Sequence, residues 1–253
     1  MTSIEADRHG AILILKIANE SKRNAFTHSM TVALGKQLRD AEADRSIRCV
    51  IITGAGDVAF SSGHDLREML ADRDAASDPI ANDAFVLPSR MLTPTIAAIN
   101  GFAYAAGFIL ALNCDFRICS QNAAFAAPGA RIGLLPVAGQ LSRLPNLLPR
   151  PIAHEMLVTC REMKADEAFR LGFAGQVAPV GKSLDVAMEL ARQIVANSSD
   201  VVSAIKTGLE TLYQQGTRKA NDFEWQESRR LQSGAHAEEG MRAFLEKRQP
   251  KFE

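Results

Sequence analysis

The run VIITGAGDVAFSSGHDLRE, from Val50 to Glu68, carries the clearest structural signal in the chain. It follows Cys49 into a short β-branched run through Thr53, has the composition of a buried strand, and stops at Gly54. The segment Gly54-Ala-Gly-Asp-Val-Ala59 nominally fits the G-x-G-x-x-A pattern of a dinucleotide site, the basis of a nicotinamide-dependent reading. Such a fingerprint must open a helix that faces a pyrophosphate. Here Phe60-Ser-Ser-Gly63 reads as another turn and Asp57 adds a repelling charge, so a glycine turn without a nucleotide is expected. A helix begins only after Gly63-His64-Asp65. The segment Asn100-Gly-Phe-Ala-Tyr-Ala-Ala-Gly-Phe108 has the same character: small residues in a turn, then the start of a helix. Backbone N–H groups at a helix start lack partners, and with the helix dipole they suit an oxyanion. Taken singly, each segment is also simply a tight strand-to-helix connection.

Outward from these turns the chain alternates strand and helix, which argues for an α/β core. Ile4–Asp7 and Ala11–Ile17 read as a hairpin across His9-Gly10, and further strands are expected at Thr95–Ile99 and Asp115–Cys119. Met30, Leu34, Leu38 and Ala41 recur at helical spacing behind Thr27, a cap residue. From about Pro151 the strand signal fades. Lys164–Leu171 reads as a short helix stopped by Gly172. Val186, Leu190 and Ile194 form one helical stripe, and Val201, Ile205, Leu209 and Leu212 form the next. The expected division is a core over 1–195 and a helical region over 196–253.

Composition excludes several classes. The 253 residues are 47% hydrophobic and 23% charged, as in ordinary globular chains. Lys+Arg and Asp+Glu each number 29, so nothing in the net charge attracts nucleic acid or an anionic membrane. Met91–Cys114 carries no charge and is long enough to span a bilayer. Its Pro94, Asn100, Gly101, Gly107 and Asn113 divide it into strand, turn and helix instead, and no membrane insertion is expected. Residues 1–9 lack the apolar run of a secretory signal, which gives a cytoplasmic expectation by default. Cys49, Cys114, Cys119 and Cys160 show no C-x-x-C spacing, and neither a metal site nor a disulfide scaffold is expected. Cys114 and Cys119, placed on one strand, would face opposite ways. No G-x-S-x-G, Walker A or H-E-x-x-H motif occurs.

Val50–Glu68, followed by TPTIAAING (93–101) and NCDFRI (113–118), resembles the enoyl-CoA hydratase/isomerase (crotonase) superfamily. The resemblance continues through Phe125-Ala-Ala-Pro128, Gly133-Leu-Leu-Pro136, Ala165-Asp-Glu-Ala168 and Ala243–Arg248, and so covers nearly the whole chain. It implies an α/β spiral of ββα units followed by helices that mediate trimer contacts, in a homotrimer or dimer of trimers. It implies an acyl-CoA thioester as ligand, with no cofactor beyond the CoA of the substrate. Carried over by position, the backbone N–H groups of His64 and Ala106 would form an oxyanion hole for the thioester carbonyl. The CoA portion would lie along Arg23, Ala25, Ser62, His64, Asp65, Leu66 and Arg67, with Lys22 alongside. Phe244 and Lys247 would reach the nucleotide, often that of a neighbouring subunit.

The departures bear on chemistry. Family hydratases use two glutamates for proton transfer; the corresponding positions here are Ile109 and Gly129, and Val137 fills a place where some relatives carry an aspartate. In this the chain resembles the enoyl-CoA-hydratase-domain-containing subgroup that also lacks them. The implied activity is nominally that of an enoyl-CoA hydratase-like lyase or isomerase of acyl-CoA (fatty acid) metabolism. Alternatives are an acyl-CoA decarboxylase, a thioesterase or a non-catalytic acyl-CoA-binding protein. Replacement side chains near the turns are His64, Tyr104, Arg131 and Gln140, with Glu68 and Glu155 as more distant carboxylates. Each also has a packing or solvated-surface explanation.

Overall fold

The computed structural model describes residues 2–72 and 82–252. The hairpin forms as expected: β1 (Ser3–His9) and β2 (Ile12–Ala18) pair antiparallel, with Gly10 at φ +62° in the turn. Helix α1 (His28–Ala43) starts where Thr27 Oγ1 accepts the Met30 N–H at 3.2 Å. Such a cap contributes about 1 kcal/mol. Met30, Leu34, Leu38 and Ala41 all face inward and are buried.

A repeating unit then sets the architecture. Strand β3 (Cys49–Gly54) leads to β4 (Ala59–Ser61) and α2 (Leu66–Ala71). After α3 (Leu87–Arg90), β5 (Thr95–Ile99) leads to β6 (Phe102–Tyr104) and α4 (Ala106–Asn113). Strand β7 (Phe116–Ser120) leads to β8 (Ala124–Ala126) and a 3₁₀ turn at Pro128–Ile132. The first strand of each unit enters a sheet ordered β1-β2-β3-β5-β7-β10, and the second enters a sheet ordered β4-β6-β8-β9. Because β3, β5 and β7 pair in parallel, as do β4, β6 and β8, each unit advances both sheets by one strand. Equivalent turns of successive units therefore stack. This is the expected α/β spiral of ββα units.

Strands β2, β3 and β5 in the middle of the first sheet are buried on both faces, so they read as nearly unbroken apolar runs. Alternate residues divide between two cores. Leu15, Ile17, Val50, Ile52 and Ile99 join the main core with α1 and α4, while Ile12, Ile14, Ile51, Ile96 and Ile118 face α8 (Ser183–Val195). Ala187 and Ala191 let α8 approach closely, with Val186, Leu190 and Ile194 flanking them. Every residue of α4 is buried, which explains the uncharged composition of Met91–Cys114; no helix among the described residues is long and apolar enough to cross a membrane.

Several local expectations change. Phe60 and Ser61, read as a turn, lie in β4, and Phe102–Tyr104, read as part of the turn after Asn100, forms β6. The strand expected from Asp115 begins at Phe116, because the Asp115 carboxylate instead accepts the Thr95 N–H and hydroxyl at 2.8 and 2.9 Å. Cys114 ends α4 rather than lying on that strand. All four cysteines are free and buried, and burial pushes the Cys49 and Cys114 thiols up to about 12. Strand structure also continues past Pro151. After α5 (Leu144–Leu147) and α6 (Arg150–Thr159), β9 (Met163–Lys164) and β10 (Gln176–Ala178) extend the two sheets on either side of α7 (Ala165–Arg170). Segments of two and three residues are too short to carry a period, and the existing sheet edges recruit them.

The chain ends in α9 (Ser199–Gln215), α10 (Thr217–Gln232) and α11 (Ala235–Leu245). Charge anchors α9 to the core: Lys206 Nζ donates to the Pro88 and Thr93 carbonyls and to Asp115 at 2.7, 3.0 and 2.7 Å. Arg143 meets Glu210 through two hydrogen bonds, of 2.6 and 3.0 Å. Arg48 holds the tail by donating to the Asn197 and Phe252 carbonyls. The stripe Val201, Ile205, Leu209 and Leu212 remains exposed. Lys206→Ala, which strands a part-buried carboxylate and two carbonyls, is expected to cost about 3 kcal/mol in urea unfolding. A loss below about 0.5 kcal/mol, typical of a surface substitution, would contradict the anchoring role.

Candidate active site

The first turn leaves β4 at Ser61 and passes through Gly63, whose φ of +101° suits glycine. Phe26 bridges this turn: its N–H donates to the Gly63 carbonyl and its carbonyl accepts the Asp65 N–H, both at 2.8 Å. His64 lies between these two bonds, so its own N–H points to the opposite side, where no described group accepts it. Asp65 then caps α2 by accepting the Arg67 N–H at 3.0 Å.

The second turn leaves β6 through Ala105, at φ +47° and ψ −117°, a sparsely populated conformation for a residue with a Cβ. The Ala105 N–H donates to Ala126 at 3.1 Å and its carbonyl accepts the Ile109 N–H at 2.9 Å. Ala106 opens α4, and its N–H has no acceptor among the described residues. The turns abut. A Cβ placed on Gly63 would lie 2.7 Å from the Ala105 Cβ and 3.3 Å from the Ala106 nitrogen, and one on Gly107 would lie 2.6 Å from the Ser61 carbonyl oxygen. Two uncommitted donors lie on adjoining turns, one of them at the start of a buried helix, and such donors are of the kind that stabilises an oxyanion.

Most of the residues carried over for CoA gather at the first turn. Lys22 Nζ donates to Asp65 at 2.6 Å, and this bond holds the Asp65 carboxyl below its ordinary range. The Arg23 carbonyl accepts the Ser62 N–H at 3.0 Å, while its side chain is exposed. Ala25 is buried, its carbonyl held by Asn19 at 2.7 Å. Leu66 and Arg67 are exposed at the start of α2, and neither the Arg23 nor the Arg67 side chain is ion-paired among the described residues. Phe244 and Lys247 stand apart. Phe244 is 84% exposed on α11 and Lys247 follows that helix, with no described bond from either side chain to this cluster.

Neither position of the missing glutamates offers a proton-transfer group. Ile109 packs in the main core, and Gly129 sits so close to Leu134 that a Cβ would come within 2.5 Å of its carbonyl oxygen. Val137 is exposed. Tyr104 donates its hydroxyl to Glu162, and burial first, with that partner, raises its pKa well above the ordinary tyrosine range. Arg131 is exposed. Gln140 is buried. Glu155 pairs with Arg161 at 2.7 Å on α6, away from the turns.

His64 and Glu68 instead share a cavity of about 250 Å³, with Phe26, His28, Thr31 and Met69 also on its wall. The His64 ring meets Phe85 edge to face, with centroids 5.1 Å apart, and burial lowers its pKa. Glu68 accepts the His28 N–H at 2.9 Å. Phe85 and Glu162 carry no motif in the sequence, so their part in the surroundings of the turns depends on tertiary contact. Among the described residues, no group of three or more His, Cys, Asp or Glu could hold a metal.

Comparison with known proteins gives a consistent result. The family described as Enoyl-CoA hydratase/isomerase matches residues 7–253. A carnitinyl-CoA dehydratase of Salmonella enteritidis PT4 is 34% identical over 255 residues, covering 98% of this chain and 97% of the relative. Its counterpart from Salmonella arizonae is 36% identical over 265 residues, covering 99% and 98%. Among solved structures, an enoyl-CoA hydratase from Polaromonas sp. JS666 superposes with a TM-score of 0.91 at 30% identity, covering 99% of this chain and all of that one. Another, from Bacillus anthracis, gives 0.93 at 29% identity, covering 98% of each chain.

Gly63→Ala tests the packing of the two turns. Strain at positive φ and the clash with Ala105 are expected to cost roughly 2 kcal/mol, measured by denaturant unfolding. A variant as stable as the parent would mean that the turns are not held in close contact.

Proposed function

The chain belongs to the enoyl-CoA hydratase/isomerase family, and from that premise we propose that it is an enoyl-CoA hydratase-like lyase that interconverts a 2-enoyl-CoA thioester plus water with a 3-hydroxyacyl-CoA thioester. Members of this superfamily process acyl-CoA thioesters. The observation that carries the reading is the pair of free backbone N–H groups on the abutting turns, His64 and Ala106. A thioester carbonyl placed between them gains most when it becomes an enolate oxyanion, and stabilisation selective for that state lowers the barrier. The backbone supplies these donors, so Ala106 serves where the family commonly has glycine. Arg23 and Arg67 offer their charge to the CoA phosphates; Lys22 is shared with Asp65. CoA belongs to the substrate, and the reaction needs no further cofactor.

A homotrimer or dimer of trimers belongs to the same proposal. It would cover the exposed Val201, Ile205, Leu209 and Leu212 stripe and could bring Phe244 and Lys247 to a neighbour's CoA site. A second reading, decarboxylation or thioester hydrolysis, is favoured by Ile109 and Gly129, since both reactions use an oxyanion hole without the hydratase glutamates. Binding without chemistry is the limiting case.

The deciding assay follows the enoyl-thioester absorbance of crotonyl-CoA, with calorimetric binding on the same preparation and a malonyl-type thioester as the parallel substrate. Hydration of crotonyl-CoA is expected. Binding with no absorbance change would overturn the proposal in favour of the second reading. Ala106→Pro removes one donor at a helix position that tolerates proline, and about a 100-fold loss of turnover is expected. Full turnover in the folded variant would remove Ala106 from the hole. Arg23→Glu should weaken CoA-thioester binding about tenfold at low ionic strength and less at high salt. Unchanged affinity at low salt would take Arg23 out of the site.

A further inference from the structure

Resting on the proposed acyl-CoA chemistry, we infer that His64 is a catalytic residue twice over, its backbone N–H holding the thioester oxyanion and its imidazole moving the Cα proton that the missing glutamates would otherwise handle. Only a Cα and a Cβ separate the ring from the donor nitrogen. A thioester carbonyl seated on that N–H is taken to place its acyl Cα on the side of the residue that carries the ring. The ring is fixed edge to face against Phe85 and borders the cavity of about 250 Å³ next to the first turn. Neither ring nitrogen is hydrogen-bonded to a described residue, so no side chain competes for the proton.

The surrounding titratable groups have other tasks. Asp65, preceding α2, holds Lys22 and the Arg67 N–H. Glu68 on α2 holds the His28 N–H with one oxygen, and Asp72 lies at the end of that helix. His28, from α1, shares the cavity wall. In the 3₁₀ turn Asp83–Phe85, Asp83 pairs with Arg90 at 2.5 Å. Burial disfavours the imidazolium and lowers the His64 pKa, so the ring is neutral near pH 7 and can accept a proton.

In the dehydrating direction, neutral His64 takes the Cα proton of a 3-hydroxyacyl thioester. The C–H electron pair moves into the thioester to give an enolate, whose oxyanion rests on the two N–H groups. Collapse of the enolate forms the Cα–Cβ double bond and breaks the Cβ–O bond. The leaving hydroxyl takes the proton back from the imidazolium and departs as water. One base serves both proton transfers, and hydration is the reverse.

The test uses His64→Gln, which keeps the backbone donor and a side chain of similar reach but cannot act as a base. In deuterated buffer, with a saturated acyl-CoA that can exchange but not eliminate, wild-type protein should catalyse Cα exchange. His64→Gln should lose at least about 100-fold of that rate and of turnover, the usual range for removing a general base. CoA-thioester affinity should stay within about threefold, because a loss confined to kcat marks a transition-state role. Wild-type kcat/KM should fall with decreasing pH through a pKa below the ordinary histidine value, and His64→Gln should lack that limb. Exchange and pH profile unchanged in His64→Gln would overturn the assignment while leaving the acyl-CoA reading intact. Loss of exchange in Glu68→Gln but not in His64→Gln would overturn it equally, and would move the base to Glu68. A wild-type protein that fails to bind a CoA thioester would overturn both the assignment and the acyl-CoA reading.

Discussion

The close backbone contact between the β4 and β6 turns governs the rest of the structure. Gly63 lies against Ala105 and Ala106, and Gly107 lies against Ser61, at distances that leave no room for another Cβ. Successive ββα units must therefore stack in one register. Two buried asparagines hold that register. Asn100 accepts the Gly54 N–H and donates to the Gly56 and Ala59 carbonyls, and Asn24 donates to the Ala55 and Ala59 carbonyls. Gly54, which resembles part of a nucleotide fingerprint, is a packing position in this frame, and it is followed by β4 instead of a helix.

The surroundings of the turns are poor in free acid–base groups. Asp65 is tied to Lys22, Tyr104 to Glu162, and the positions where glutamates would stand are an aliphatic side chain and a glycine pressed against Leu134. Backbone N–H groups held by the turns would stabilise an oxyanion through donors that are already oriented. Proton transfer is the harder requirement. The exposed charges of Arg23 and Arg67 lie at the first turn.

The last three helices use two kinds of contact. Toward the core, α9 is fixed by charge-assisted bonds at Lys206 and Glu210, whose geometry sets position closely. Apolar side chains are exposed along the same helices: Ile205 and Leu209 border an open cleft shared with Lys206, Glu210, Phe116 and Leu147, while Trp225 lies on α10 and Phe244 on α11. Directional bonds thus set the position of α9 on the core, and apolar side chains around it remain exposed.

Strands β1, β2, β3, β5 and β7, α1 and its Thr27 cap, and the two glycine-containing turns were legible in the sequence, because each follows from local preference: β-branched runs, helical periodicity, and glycine where φ is positive. The replacement of both glutamates was legible too, as residue identity at aligned positions. Strands β9 and β10 were not, since two or three residues acquire strand geometry only from a sheet edge already present. Nor was the placing of His64 against Phe85 or the joining of Tyr104 to Glu162. Local chemistry along the chain dictates where it turns and where helices begin, and residue identity at aligned positions shows which acids are missing. Only the stacking of the spiral brings the donors of two distant turns together and chooses the side chains that border them, because contacts between residues far apart in the chain do not exist until the sheets have formed.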